Sequence, residues 1–403
     1  VAIGLIAIAA PSVPVLFAAW VGEAVVSSGL EIIPVERKAD LTAFVDLPWR
    51  IYREYPLWVP PLKKDLLHLL DRKGHPFWRA ADGILLLARR GGEPVGRIVG
   101  IVDETFNEFH HTRMGAWGFF ECVQDLEVAQ ALFSAVEEWV LDKGMTIFRG
   151  PLNPSTNYEV GMLVEGFDQA PGFQMPYNPP YYVELAQQSG FRKEKDLLTF
   201  IGHRDGYRPP EWVKKVGDRL LNDPRTMIRT IDLKRVDEEL HIVKDLYDAC
   251  WWDNWGFVPM RPDELSEVGR NLKRIADAKL IFFVYWDGEP VAVAVMVPDI
   301  NPLLKRLNGK IGLLGLLKIL LFRKEVVGVR GLLLGIKPKY RKMGFPFVAL
   351  DHSWKSLAQG GYDYLELGWT LEDNEAINGL VQDCGGKPIK RYRIFRKWFT
   401  DRF

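Results

Sequence analysis

The chain has 403 residues, long enough for two domains with cores of their own. Its 52 basic and 52 acidic residues balance, which gives no sign of bulk nucleic-acid binding. Three widely separated cysteines, Cys122, Cys250 and Cys384, argue for a reduced compartment and against a disulfide scaffold or a CxxC metal site, and the seven histidines show no HExxH or Cys/His ligand spacing, so no metal is expected.

Residues Val1–Gly22 carry no charge, and their length invites a membrane-helix reading. Pro11 and Pro14 weaken it, and the basic n-region of a signal peptide is missing. Residues 1–29 therefore read as an apolar extension. An α/β pattern starts at Leu30, with a strand to Val35 and a helix over Lys38–Tyr52 interrupted by Pro48. Gly83–Ala88 and Val95–Val102 are predicted strands around Gly91-Gly92-Glu93-Pro94, whose turn chemistry predicts a hairpin. A strand over Trp117–Val123, a helix over Leu126–Lys143 and a strand over Thr146–Phe148 follow. Gly150–Pro180 is a long Gly-, Pro- and Asn-rich loop. Its aromatic and apolar residues argue against disorder and its length argues for function. A helix over Tyr181–Ser189 and a strand over Lys195–Ile201 close this half. Arg204–Thr226 reads as a connector with one short helix.

A second series then begins, with a strand near Ile228–Leu233, a helix over Glu238–Ala249, another near Asp263–Ala276, and a hairpin of Leu280–Trp286 and Val291–Val297. The two hairpins align without gaps. Gly92-Glu93-Pro94-Val95 falls on Gly288-Glu289-Pro290-Val291, and at the same offset Asn178 falls on Asn374 and Gly190 on Gly386. The natural reading is two copies of one α/β unit, over residues 30–203 and 228–403, joined by 204–227. The extra chain of the first copy lies in the Gly150–Pro180 loop, that of the second in Pro302–Glu325; both insertions are expected to reach one cleft.

The later copy contains Val329–His352, which reads as a buried strand (Leu332–Ile336), a basic turn with Lys337, Lys339, Arg341 and Lys342, and a helix opened by Pro346. Gly344 permits a positive φ or a close approach. Such a helix N-terminus, flanked by cations, binds phosphate. Arg341-Lys342-Met343-Gly344-Phe345-Pro346 resembles the pyrophosphate loop of the GCN5-related N-acyltransferases, Arg/Gln-x-x-Gly-x-Gly/Ala, departing from it at Pro346. Both copies also end on a segment similar to that family's Asn-x-x-Ala…Leu-Tyr…Gly-Phe: Asn178…Leu185-Ala186…Gly190-Phe191 and Asn374…Leu380-Val381…Gly385-Gly386. The family's frequent general-acid Tyr is thus Ala186 in one copy and Val381 in the other.

The resemblance implies a tandem α/β fold, each unit a central mixed β-sheet flanked by helices. It implies acetyl-coenzyme A or a longer acyl-coenzyme A as the acyl donor. Coenzyme A is placed on the second copy, with Ile336, Lys337, Arg341, Lys342, Met343, Gly344, Phe345 and Asn374 as its contacts, because the matching turn of the first, Cys122-Val123-Gln124-Asp125, is acidic and lacks glycine. In the family a splay between two parallel strands holds the acyl chain; here those strands are Leu332–Ile336 and Tyr362–Gly368. Glu366 on the second is either a tuned base or half of a structural salt bridge. In the long loop, Asn153, Ser155, Asn157, Glu165, Asp168, Tyr177 and Asn178 are acceptor-site candidates, against the plainer reading that Asn and Ser close turns.

Pro302–Glu325 contains an apolar stretch, Ile311–Phe322, flanked by Lys305, Arg306, Lys310, Arg323 and Lys324. It fits an interfacial membrane helix or lipid-binding lid, or else an ordinary buried helix. The tail Lys387–Phe403 interleaves Arg391, Arg393, Arg396 and Lys397 with aromatics, as a last strand with a basic outer face able to meet anionic lipid. The expected activity is acyl transfer from acyl-coenzyme A to an amine, amphipathic or lipid-like, in the cytoplasm or at the inner face of its membrane, with no nucleic-acid partner. The rivals are an aminoacyl-tRNA-dependent peptidyl transferase of the same superfamily and a non-catalytic coenzyme A-binding protein.

Overall fold

The computed structural model describes residues 29–399; the apolar extension as far as residue 28 and the last four residues lie outside it. Its strands, in chain order, are β1 (Leu30–Pro34), β2 (Ala81–Arg90), β3 (Glu93–Asp103), β4 (Met114–Cys122), β5 (Ile147–Gly150), β6 (Leu152–Asn153), β7 (Glu159–Val160), β8 (Met162–Glu165), β9 (Arg192–His203), β10 (Thr226–Thr230), β11 (Ile281–Trp286), β12 (Glu289–Pro298), β13 (Gly328–Ile336), β14 (Tyr364–Leu371) and β15 (Lys387–Trp398). All but β6 and β7 belong to one mixed sheet, whose main path runs β1-β2-β3-β4-β5-β15-β9-β14-β13-β12-β11-β10.

That order reads the same from both ends once β1–β5 and β9 are matched to β10–β14 and β15. The repeat seen in sequence is thus a pseudo-twofold arrangement in space. Local chemistry repeats too. The turns of both hairpins have two residues of positive φ, Gly91-Gly92 and Asp287-Gly288, as a two-residue hairpin turn requires. Beyond each turn the register slips by one residue at Val95 and at Val291, 196 positions apart.

The closing strands change places. β9, the last strand of the first copy, pairs with β14 of the second, while β15 pairs with β5 of the first; β9 and β15 pair with each other at the centre. This corrects the reading of the tail as a strand with a basic outer face. Central placement puts carboxylates beside its cations: Arg391 and Arg393 face Asp196, Arg396 faces Glu194, Lys397 faces Glu137 and Lys390 faces Glu366.

Helices cover both faces. Leu126–Asp142 buries Val128, Ala129, Leu132, Phe133, Val136, Trp139 and Val140, a helical stripe, against β3. The Asp125 carboxylate caps it by accepting from the amides of Glu127 and Val128. Phe345–Gly360 has the matching place on the second copy, packed on β12 and β13. The Gly150–Pro180 loop is ordered into the β6–β7 pair and β8, which joins β15. Gly118 shows how close it lies: a Cβ there would fall 1.7 Å from the Leu152 carbonyl oxygen. Gly118→Ala is therefore expected to displace the loop and to lower the urea midpoint, since backbone cannot yield as a side chain would.

Candidate active site

β13 and β14 are parallel partners only from Gly328–Gly331 against Tyr364–Leu367. Beyond that rung they part, β13 staying with β12 and β14 with β9. The gap opens into a cavity of about 1830 Å³, with Leu332, Leu333 and Leu334 on one side and Gly368, Trp369, Thr370 and Leu371 on the other. At the same place the β12–β13 register slips between Val295 and Met296, leaving Leu332 as the extra residue of a bulge. A bulge takes a residue out of ladder pairing.

Both insertions reach this cavity. The long loop contributes Asn153, Asn157, Tyr158, Glu159, Met175, Tyr177 and Asn178; Pro302–Glu325 contributes Leu303, Leu304, Leu307, Ile311 and Ile319. Trp117, Phe119, Phe120, Tyr182 and Glu121 close the first-copy end, and Tyr52 stacked on Trp58 (4.6 Å) lines another wall.

The acceptor-side candidates divide. Asn153, Asn157, Tyr177 and Asn178 lie on the cavity wall, as does Asn374, the coenzyme A candidate. Most of their polar atoms hold structure. Asn153 Oδ1 accepts from the Phe119 amide (2.6 Å), and Asn178 brackets the Leu163 amide and carbonyl. Asn157 accepts from the Tyr247 hydroxyl (2.7 Å), Tyr177 donates to the Phe167 carbonyl, and Asn374 caps the helix Glu375–Asp383. Ser155, Glu165 and Asp168 are off the wall. Ser155 is buried and accepts from the Asn157 amide, Glu165 pairs with Arg391 (3.0 Å), and Asp168 accepts from Gln169.

Glu366 is buried and paired with the equally buried Lys390, 2.8 Å away, beneath Gly172 of the long loop. The salt-bridge alternative describes its surroundings, and it is not on the cavity wall.

The cationic bend sits just outside the cavity. Arg341, Lys342 and Met343 are exposed; Gly344 (φ +105°) and Phe345 are buried. Arg341 donates to the Ile336 carbonyl (3.0 Å) and to that of Cys250 (2.5 Å), and Lys337 pairs with Glu289 (2.8 Å). The helix Glu211–Leu221 packs over the bend: a Cβ on Gly344 would meet Val216 Cγ1 at 2.4 Å, and Trp212 lies edge-on to Phe347. Trp251, which abuts Gly335 at the end of β13, lines the cavity wall.

The sequence reading passed over Glu159, Glu121, Arg97 and Arg330, all cavity-lining. The available signal was a charged residue inside an otherwise apolar strand. Among the described residues no group of His, Cys, Asp or Glu is arranged to hold a metal ion.

Comparison with known proteins settles the family. No family model matches the chain. The bacterial ceramide synthase of Caulobacter vibrioides is 33% identical over 379 residues, covering 92% of this chain and 98% of that protein. The chain belongs to the bacterial ceramide synthase family. Protein YghO of Escherichia coli is 33% identical over 372 residues, covering 89% of this chain and 93% of its own length. A tandem GNAT protein from the clavulanic acid biosynthesis pathway superposes with a TM-score of 0.56 at 13% identity, over 92% of this chain and 98% of that one. The ceramide synthase family chain described here therefore has the tandem fold of the GCN5-related N-acetyltransferases, and it is an acyltransferase.

Proposed function

We propose that the protein transfers a long acyl chain from acyl-coenzyme A to the nitrogen of an amphipathic, lipid-like amine. The observation carrying this reading is the single cavity that joins the β13–β14 splay to the long loop. At about 1830 Å³ it exceeds the roughly 300–1,000 Å³ of ordinary ligand pockets, and its walls are mostly aliphatic and aromatic. A donor chain and an acceptor chain both need such walls. The relative named for ceramide synthesis supports a lipid-like acceptor.

In this reading the bend Arg341–Gly344 holds the pyrophosphate, the pantetheine arm passes Trp251 and Gly335 into the splay, and the Leu332 bulge offers a backbone N–H to the thioester carbonyl. The acyl chain runs along Leu332–Leu334, and the Gly150–Pro180 loop covers the acceptor. A thiol-release assay crossing amines with acyl chain lengths tests it. Long-chain acyl-coenzyme A with an amphipathic amine is expected to be fastest; a preference for acetyl-coenzyme A with small polar amines would contradict it.

Gly344→Val places a branched Cβ in a backbone region that L-residues rarely adopt and against Val216. Calorimetry is expected to show acyl-coenzyme A affinity reduced at least about tenfold, from strain of order 1–3 kcal/mol at the bend. Unchanged affinity would remove the bend from the site.

The helix Leu313–Phe322 supplies the proposed membrane contact. Leu313 is 89% exposed and Leu314 76%, and Leu316, Leu317, Leu320 and Leu321 are exposed as well. Lys310, Arg323 and Lys324 stand exposed around it. Among the described residues no helix is long and apolar enough to cross a membrane. A short apolar helix with a basic border suits the headgroup layer, and Ile311 and Ile319 of the same segment open onto the cavity.

A further inference from the structure

Among the described residues, two charged side chains of the cavity wall that are not exposed have no counter-ion at bonding distance. Glu159, on β7 opposite Asn153, has no hydrogen-bond or ion-pair partner among the described residues. Arg330, on β13 one residue before the splay, is 3% exposed. Among the described residues its guanidinium donates to the Gly331 carbonyl and, at 3.0 Å, to Met175 Sδ; its Nε is unpaired. The nearby Glu366 is already held by Lys390.

Tyr392 of β15 is fully buried, its hydroxyl has no partner among the described residues, and it feels the charge of both as well as that of Glu366. The other groups around Glu159 are engaged. Glu121 on β4 accepts from the Tyr182 hydroxyl (2.7 Å) and lies 3.5 Å from Arg97 of β3. Tyr52 donates to the Tyr177 carbonyl (2.9 Å). Glu159 is thus the free carboxylate of this end of the cavity.

A charge facing a low-dielectric cavity is costly unless a ligand compensates it. The acceptor of acyl transfer supplies that ligand, because an alkylamine enters as an ammonium, like a lysine side chain. We propose that Glu159 is the general base that takes the proton from the acceptor ammonium. The proposal rests on the acyl-transfer reading above.

In the step it serves, the ammonium gives one proton to Glu159, which passes it to water. The freed lone pair forms the N–C bond at the thioester carbon, and the C–S bond breaks. The second nitrogen proton ends on the departing sulfur, giving amide, coenzyme A thiol and one released proton. Arg330 lines the same cavity, with its Nε unpaired. Burial, reinforced by the Glu121 charge, pushes the Glu159 carboxyl up to about 7. A base poised there is half-ionised at neutral pH.

The test is thiol release from palmitoyl-coenzyme A with a long-chain primary amine, across pH 5–9, for wild type, Glu159→Gln, Glu159→Asp and Glu121→Gln. Wild-type kcat/KM is expected to rise with pH through about 7 as Glu159 ionises. Glu159→Gln should lower kcat about 10²–10⁴-fold and lose that limb, with acyl-coenzyme A affinity by calorimetry unchanged. Glu159→Asp should restore a pH-dependent limb. Glu121→Gln should move the limb to lower pH, because removing a neighbouring negative charge eases ionisation.

A Glu159→Gln enzyme with wild-type rate and limb would overturn the assignment and leave the acyl-transfer reading standing. Loss of acyl-coenzyme A binding in both Glu159 variants would make the residue structural and overturn it equally. A wild type that releases no thiol with any amine would overturn both.

Discussion

Replacing Leu313, Leu314, Leu317 and Leu321 together by glutamine is expected to lower partition onto anionic vesicles by about three orders of magnitude. All four side chains are more than half exposed in the free protein, so seating them in lipid removes apolar surface from water. Full burial of a leucine is worth roughly 1.5–3 kcal/mol; taking ~1 kcal/mol each for partial immersion gives ~4 kcal/mol, or about 10³ in the partition coefficient. Exposed Lys310, Arg323 and Lys324 add roughly 1 kcal/mol each near an anionic surface, a part that salt screens. Arg306 adds less, being paired with Glu325 and stacked on Phe322. The folded state should hardly change, because exposed side chains contribute little to stability. Vesicle flotation at low and high salt reads both parts, and equal recovery of variant and wild type in the lipid fraction would end the membrane proposal.

Lys390→Ala is expected to destabilise the protein by about 3–5 kcal/mol, through the uncompensated Glu366 carboxylate it leaves behind. Lys390 and Glu366 are both nearly inaccessible, on β15 and β14 to either side of β9, and among the described residues no other ion pair reaches Glu366. The field at the site is already crowded. Burial, together with the Glu366 charge, pushes Asp299 up to about 6. Urea midpoints of wild type and variant measure the loss.

The double variant Glu366→Gln/Lys390→Met should recover most of the loss, because removing both charges avoids an unpaired one. Its activity distinguishes two roles. A refolded double variant that turns over substrate assigns Glu366 to structure; a stable but inactive one returns it to the chemistry.

The duplication was legible in the sequence because its markers are local. Gly91-Gly92 and Asp287-Gly288 dictate hairpin turns wherever they occur, and the ends of Leu126–Asp142 and Phe345–Gly360 are written in Asp125 and Pro346. The apolar splay strand and the two insertions could also be named, since each is a contiguous run. The helix Glu104–His110 was not anticipated; it is short, and its cap, Asp103, reads in sequence as the end of a strand.

What the amino-acid order alone determined is therefore the pair of α/β units, the position of their turns and the residues of the cationic bend, all of which depend on neighbours a few positions apart. Tertiary structure decided that β9 and β15 would trade places, that Glu366 would meet Lys390 while Glu159 met no partner, and that the helix Leu313–Phe322 would face outward. An apolar helix reads alike whether protein or solvent lies against it, and a carboxylate reads alike whether its partner is 24 residues away or absent. Only the packed chain brings distant residues close enough for burial and charge to choose between those outcomes.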